Sequence, residues 1–303
     1  MANNKIDLFV TNILFVMVLF VPFALLTGPF IPDLIVSLIT LIFLVYTFTL
    51  KKWKYYQNKY FILFIIFCIY ILLRSIFSSD PFLSLESSLF YFRFGIFSLA
   101  VWFLLDMKKN FIRFFSTALL IAFIFAIFDG YYQYFFEYNL FGFNGEGVRI
   151  SLPFNDSMVL GNYLARLFPF FLALYFYQSQ LSKYQLMALG LLFISIDVLI
   201  FSTGERTALL LLLISTIFIL LFISKYRLLR SLTLIISIFI LAFIASFDEG
   251  IKNRNIDQTI TQLGLNQDKL IFFSHRHESH FNSAFLMFKE NPLLGVGPKL
   301  FRK

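Results

Sequence analysis

Residues 8–50 read LFVTNILFVMVLFVPFALLT, then Gly28-Pro29, then FIPDLIVSLITLIFLVYTFTL. Each flank is an unbroken apolar run of about 20 residues, which at about 1.5 Å per residue crosses a hydrocarbon core about 30 Å thick. Glycine followed by proline interrupts helical hydrogen bonding between them, so the two runs form a tight hairpin of membrane-spanning helices. The first run lacks a small-residue cleavage signature and follows a weakly charged start, so it reads as a retained helix rather than a signal peptide. Seven comparable runs follow, at 60–77, 88–105, 111–135, 158–177, 184–202, 205–223 and 231–247. With no internal repeat visible, the expected fold is an all-α polytopic membrane protein of about nine transmembrane helices.

Composition agrees. The 303 residues are 59% hydrophobic, 20% aromatic and 14% charged, whereas soluble domains run near half apolar and about a quarter charged. Thirteen Gly, eight Pro and one Cys exclude collagen, disorder and a disulfide scaffold, and Cys68 itself lies in an apolar run. The net charge of +8 does not form a nucleic-acid surface, because the basic residues sit in short clusters between apolar runs. Those clusters set orientation instead. With the N-terminus inside, the inner loops carry Lys51, Lys52, Lys54, Lys59, Lys108, Lys109, Lys183, Lys225, Arg227 and Arg230. The short outer loops hold only Arg149 and Arg206, beside Asp80, Glu86, Glu137, Glu146, Asp156 and Glu205. The chain thus divides into a transmembrane domain, 1–247, and an outer segment, 248–303. Within that segment Arg276–Glu290 has helical spacing, Asn291-Pro292 stops it, and Gly295-Val296-Gly297-Pro298 turns the chain. An amphipathic helix lying on the membrane face is a second reading of it.

Six candidates stand out among the ionisable residues of the apolar runs: Asp33, Arg74, Arg93, Asp129, Arg166 and Asp197. A charge in hydrocarbon costs about 3 kcal/mol on insertion scales, so each calls for a reason. All six lie in the half of the helices facing outward, the side where arginines are disfavoured. Snorkelling and internal pairs such as Arg166 with Asp197 are the plain explanation. A cationic cavity open to the outer face accounts better for the set, with Arg166, Arg93, Asp197 and Asp129 as candidate substrate contacts. Arginine suits a phosphorylated ligand because its planar fork stays charged and grips two oxygens at once. No nucleotide-phosphate loop is present; the G-V-G at 295–297 lacks the context one requires.

Three stretches then resemble one family in order, spacing and side of the membrane. They are Arg149–Ser157 followed by Leu160-Gly161-Asn162-Tyr163-Leu164, then Ser202-Thr203-Gly204-Glu205-Arg206-Thr207-Ala208, then Arg276 through Asn291-Pro292-Leu293-Leu294-Gly295-Val296-Gly297. The family is the bacterial O-antigen ligase and O-antigen polymerase family, and the resemblance covers about half of the chain. It implies an integral inner-membrane glycosyltransferase, similar to C-type glycosyltransferases, with a large helical periplasmic loop and an active periplasmic face. It implies no metal and no cofactor, and as donor a glycan on undecaprenyl diphosphate. The acceptor glycolipid would be lipid A–core oligosaccharide for a ligase, in lipopolysaccharide biosynthesis, or another lipid-linked repeat for a polymerase. Carried over by position, Arg149, Arg206 and Arg276 match the family's catalytic arginines, which hold the donor diphosphate. The family's base, a histidine shortly past the G-x-G turn, is expected beyond Lys303, so the chain reads as truncated within the outer loop.

His275, His277 and His280 lie upstream of that turn and do not take the base's place; a solvated helix face explains them better than a metal site. Gly130-Tyr131-Tyr132-Gln133-Tyr134 reads as an aromatic belt, with sugar stacking as a second role. The rival to glycan transfer is a transporter or flippase for a lipid-linked anionic solute. Transporters favour charges near the midplane and paired halves, neither of which the sequence shows. A non-catalytic scaffold is the remaining alternative.

Overall fold

The computed structural model describes residues 2–144, 150–154, 159–178, 181–247 and 275–302. The described residues form helices and no strand; an isolated bridge joins Tyr138 to Asn144. In chain order the helices are α1 (Ala2–Ala24), α2 (Phe30–Thr49), α3 (Lys59–Ile76), α4 (Pro81–Ser88), α5 (Phe92–Met107) and α6 (Phe111–Phe136). They continue with α7 (Leu160–Gln178), α8 (Lys183–Ser202), α9 (Arg206–Phe222), α10 (Ser224–Phe247) and α11 (His275–Glu290).

Among the described residues seven spans are long and apolar enough to cross a membrane: Ile6–Thr27, Phe30–Thr49, Lys59–Ile76, Pro81–Met107, Phe111–Phe136, Lys183–Ser202 and Ser224–Phe247. The all-α polytopic architecture is therefore present. Two of the nine expected runs form helices outside that set. Helix α9 is only 17 residues long, and α7 is diluted by Asn162, Arg166 and Pro169. Helix α4, where the sequence suggested a loop, starts as short helices do: Asp80 accepts a bond from the Leu83 amide at 3.1 Å and Pro81 opens the first turn.

The chain forms two compact units. Unit 1 comprises residues 1–18, 33–109 and 262–303. At one end of its helices, Lys52 Nζ donates to Asp7 Oδ2 at 2.9 Å and Tyr46 OH to Asp7 Oδ1 at 2.9 Å. Lys108 Nζ reaches Asn12 at 2.8 Å, and Tyr55 OH reaches Asp106 at 3.2 Å. These groups lie at the end that the positive-charge pattern assigns to the inside. Burial pushes the Tyr55 and Tyr56 phenols above their ordinary range, so both stay neutral hydrogen-bonding groups. Phe43, Tyr46, Tyr55 and Phe103 pack there edge to face or tilted, with centroids 5.3–6.5 Å apart. Helices α3 and α5 touch so closely that a Cβ on Gly95 would lie 2.5 Å from the Phe64 ring.

Unit 2 comprises residues 19–32 and 110–261. Its core is built from Phe123, Phe168, Phe171 and Phe193, with successive rings 5.2–6.2 Å apart. Gly130 lets α6 approach α8, since a Cβ there would stand 2.9 Å from Leu199 Cδ2, and Tyr131 OH bonds the Ser195 carbonyl at 2.9 Å. Ser182 and Gln185 close a capping box at the start of α8.

Helix α10 is built the other way round from a soluble amphipathic helix. Its buried residues are Tyr226, Arg230, Thr233 and Ser237, at i, i+4, i+7 and i+11, while its apolar residues face outward. A polar inner stripe with an apolar outer face fits a helix whose surroundings are lipid and whose polar groups find partners inside the bundle.

Candidate functional site

Two of the three motif stretches meet in unit 2. Helix α8 ends at Ser202; Thr203 Oγ1 returns to the Ile200 carbonyl at 2.7 Å, and Gly204 adopts φ +63°. A left-handed residue there turns the chain sharply into α9, and glycine takes that conformation without steric cost. Glu205 is the N-cap residue of α9, yet its side chain caps a different helix. Its carboxylate accepts the Gly161 amide at 2.7 Å, the Asn162 amide at 3.1 Å and the Asn162 side-chain amide. These are amides that the first turn of α7 leaves without intrahelical partners, and the dipole of α7 favours negative charge at the same point. Gly161 is obligatory in the contact, because a Cβ would lie 2.6 Å from Thr203 Oγ1 and 3.0 Å from Glu205 Oε1. The next residue, Arg206, opens α9 and is half-buried.

A second network fixes the loop that follows α6. Glu137, at φ +69°, ends that helix, and its amide bonds the Gln133 carbonyl at 2.8 Å. Gln133 Oε1 accepts the Ser151 amide at 2.9 Å and the Ser151 hydroxyl at 3.1 Å. Asn139, fully buried, donates to the Leu152 and Pro153 carbonyls at 3.1 Å each and accepts the Phe141 and Phe143 amides. Ile150-Ser151-Leu152, directly after Arg149, is thus pinned by side chains of α6 and the 137–144 loop. Sequence alone assigned no positioning role to Gln133 or Asn139; a glutamine within the Gly130–Tyr134 aromatic run and an asparagine shortly after it were the available signal.

The expected site residues divide as follows. Arg149 lies outside the described residues; Arg276 belongs to α11, but its side chain lies outside them too. Arg206 sits at the junction just described. Arg166 is exposed on α7. Arg93 opens α5 in unit 1, pairs with Asp33 of α2, and keeps a buried Nε without a partner. Asp129 is fully buried, with Oδ1 accepting the Leu140 amide at 2.9 Å and Oδ2 unpartnered.

Asp197 is 3% exposed and does not pair with Arg166, the internal pair suggested from sequence. Arg230 takes it through two bonds of 2.7 and 3.0 Å, and Ser237 Oγ adds a third at 2.9 Å. Arg230 also bonds Thr216 and lies 4.8 Å from the Phe193 ring centroid. Arg230 is therefore no inner-loop cation. It lies inside α10, which begins at Ser224 rather than at the start of the uninterrupted apolar run. The polar spacing of Tyr226, Arg230, Thr233 and Ser237 was the signal for a buried arginine. Among the described residues no group of three or more His, Cys, Asp or Glu could hold a metal ion, and the His280 ring lies 5.7 Å from that of Phe301.

In unit 1 the third motif is also held. Arg74 Nε donates to the Gly295 carbonyl at 2.7 Å, and Tyr70 OH to the Leu294 carbonyl at 2.9 Å. Gly297, at φ +112°, brings Pro298 and Lys299 down beside α4, where Lys299 pairs with Glu86 at 2.9 Å. A Cβ on Gly297 would stand 3.1 Å from Ser78 Cβ and 3.2 Å from Ser84 Oγ.

The architecture defines an all-α polytopic membrane protein whose motif residues gather at helix junctions rather than in a soluble domain. Residues 187–303 match the family model described as O-antigen ligase, and the second and third motifs, which resemble that family, fall inside the match. That stretch contains Arg206, the Asp197–Arg230 pair, Arg276 and the Gly295–Gly297 turn. No curated protein and no solved structure matches the chain.

Proposed function

We propose that the protein transfers a glycan from an undecaprenyl-diphosphate carrier to an acceptor sugar at the periplasmic face of the bacterial inner membrane, as an O-antigen ligase or polymerase does. The match over residues 187–303 carries this reading. The clamp of Glu205 on the start of α7 supports it, because it holds Arg206 at a rigid turn between helices.

In the proposed reaction the acceptor hydroxyl attacks the anomeric carbon of the donor sugar. The bond from that carbon to the phosphate oxygen breaks, and its electron pair leaves with undecaprenyl diphosphate. Arg206, Arg149 and Arg276 bind the diphosphate and stabilise the charge growing on its leaving oxygen. The acceptor proton passes to a base, which the family's pattern places in a histidine downstream of the G-x-G turn. Arg166, exposed on α7, supplies a further cation for the lipid phosphates. Asp129 and Asp197, engaged internally, serve position rather than contact. Neither metal nor cofactor enters this chemistry.

Titration of the purified protein with undecaprenyl diphosphate tests the anion assignment. Arg206→Ala is expected to weaken binding at least about tenfold, as the loss of one charge-assisted bidentate contact does. Arg206→Lys is expected to recover only part of that, since a point charge does not replace the fork. Undiminished binding by Arg206→Ala contradicts the assignment.

A further inference from the structure

Unit 1 contains a cavity of about 630 Å³, within the range of small-ligand sites, that the proposed reaction has not used. It is bordered by the start of α2, the upper part of α3, the end of α4, the start of α5 and the Pro298-Lys299 step of the third motif. Its lining includes two cations, Arg93 and Lys299, and two carboxylates, Asp33 and Glu86, each cation paired with a carboxylate. Aromatic rings line it as well: Tyr91 lies between Phe67 at 6.1 Å and Phe94 at 5.3 Å. Ser87 and Ser88 complete the polar part.

From this lining we infer that the cavity binds a sugar ring of the transferred glycan or its acceptor, an inference that rests on the glycan-transfer reading. Each neighbouring chemistry fits less well. A phosphate would have to displace Asp33 from Arg93 or Glu86 from Lys299, and the formal charge of the lining is zero, so no net field draws an anion in. A lipid tail would strip water from four charged groups and offer them no hydrogen bond in return.

A sugar uses what is present. Its hydroxyls donate to carboxylates and accept from guanidinium and ammonium groups, leaving both ion pairs in place, and its C–H face packs on an aromatic ring. The side chains of Asp33, Glu86 and Lys299 are 48%, 64% and 43% exposed, so their outer oxygens and protons remain open to a ligand. One wall is made by Pro298 and Lys299, which follow the Gly295–Gly297 turn that Arg74 and Tyr70 hold in place and that depends on Gly297 for its approach to α4. The turn thereby gains a task of its own, shaping a sugar subsite.

Saturation-transfer NMR on the protein in nanodiscs, with a panel of free hexoses, N-acetylhexosamines and deoxyhexoses, tests the inference. At least one sugar is expected to receive saturation on its ring protons, and millimolar pyrophosphate is expected to leave that signal unchanged. Glu86→Gln, at an exposed carboxylate, and Tyr91→Ala are expected to reduce sugar affinity about tenfold, the loss that follows one charged hydrogen bond or one ring face. Arg206→Ala is expected to bind sugar as wild type does. No saturation of any sugar, unchanged affinity in both cavity variants, or displacement of sugar by pyrophosphate would each overturn the assignment. Sugar binding lost while Arg206 still governs the diphosphate defeats this inference alone. Sugar binding kept while Arg206→Ala holds the lipid diphosphate undiminished defeats the donor-site reading instead.

Discussion

Glu205 shows how a single carboxylate decides where its neighbour stands. It is 9% exposed and accepts three donors from residues 161 and 162. Glu205→Ala leaves two backbone amides unsatisfied at a cost of about 1–3 kcal/mol each. A lowered thermal midpoint in detergent, together with lipid-diphosphate binding weakened alongside it, is the expected outcome. Gly161→Ala is expected to do the same by pushing Thr203 and Glu205 away. Asp197 allows a sharper test. Asp197→Ala strands a buried arginine and is expected to destabilise by about 3–5 kcal/mol, whereas Asp197→Leu with Arg230→Met removes both charges and is expected to recover most of that. Equal loss in the single and double variants, read by thermal unfolding, would show that the pair does more than neutralise itself.

Helices were legible in the sequence wherever an apolar run of about 20 residues stood between basic clusters, because lipid imposes that length directly. Their ends were less legible. Helix α10 starts at Ser224 because a helix accepts arginine and lysine when their side chains find partners, and hydropathy alone hid that first turn. Helix α4 was missed since eight residues of mixed polarity form a helix only through the Asp80 cap and the packing on α3. Partnership across helices was the least legible: Asp197 and Arg166 both stood out as intramembrane charges, and only folding reveals that Arg230 holds the aspartate. The arginines of the motifs were named by resemblance, while the contacts through which Glu205, Gln133 and Asn139 position the motifs were not legible, because a capping role depends on which helix end arrives nearby. Asn139→Ala is expected to loosen residues 140–144 and 150–153, measured as faster amide hydrogen exchange there with little change in α6.

At the scale of the whole molecule, the proposed sidedness rests on charge. The contacts of Asp7, Lys52, Asp106 and Lys108 gather at one end of unit 1, the end assigned inside. Leu293, 91% exposed within the third motif, belongs to the opposite side in this account. With Cys68 buried, an impermeant maleimide added to intact cells stripped of their outer membrane is expected to label Leu293→Cys and spare Lys183→Cys. The reverse pattern would invert the topology. Lys183→Ala, at an exposed inner-face position, is expected to leave transfer unaltered.

The most direct measurement is glycan transfer itself, from a purified undecaprenyl-diphosphate-linked donor to an acceptor glycolipid, by wild-type protein and Arg206→Ala side by side at equal abundance. Transfer by the wild type, falling about a hundredfold or more in Arg206→Ala, is the predicted result. Equal transfer by the two would contradict the diphosphate-holding role, and wild-type protein that moves intact donor across the membrane without forming a new glycosidic bond would contradict the transferase reading as a whole.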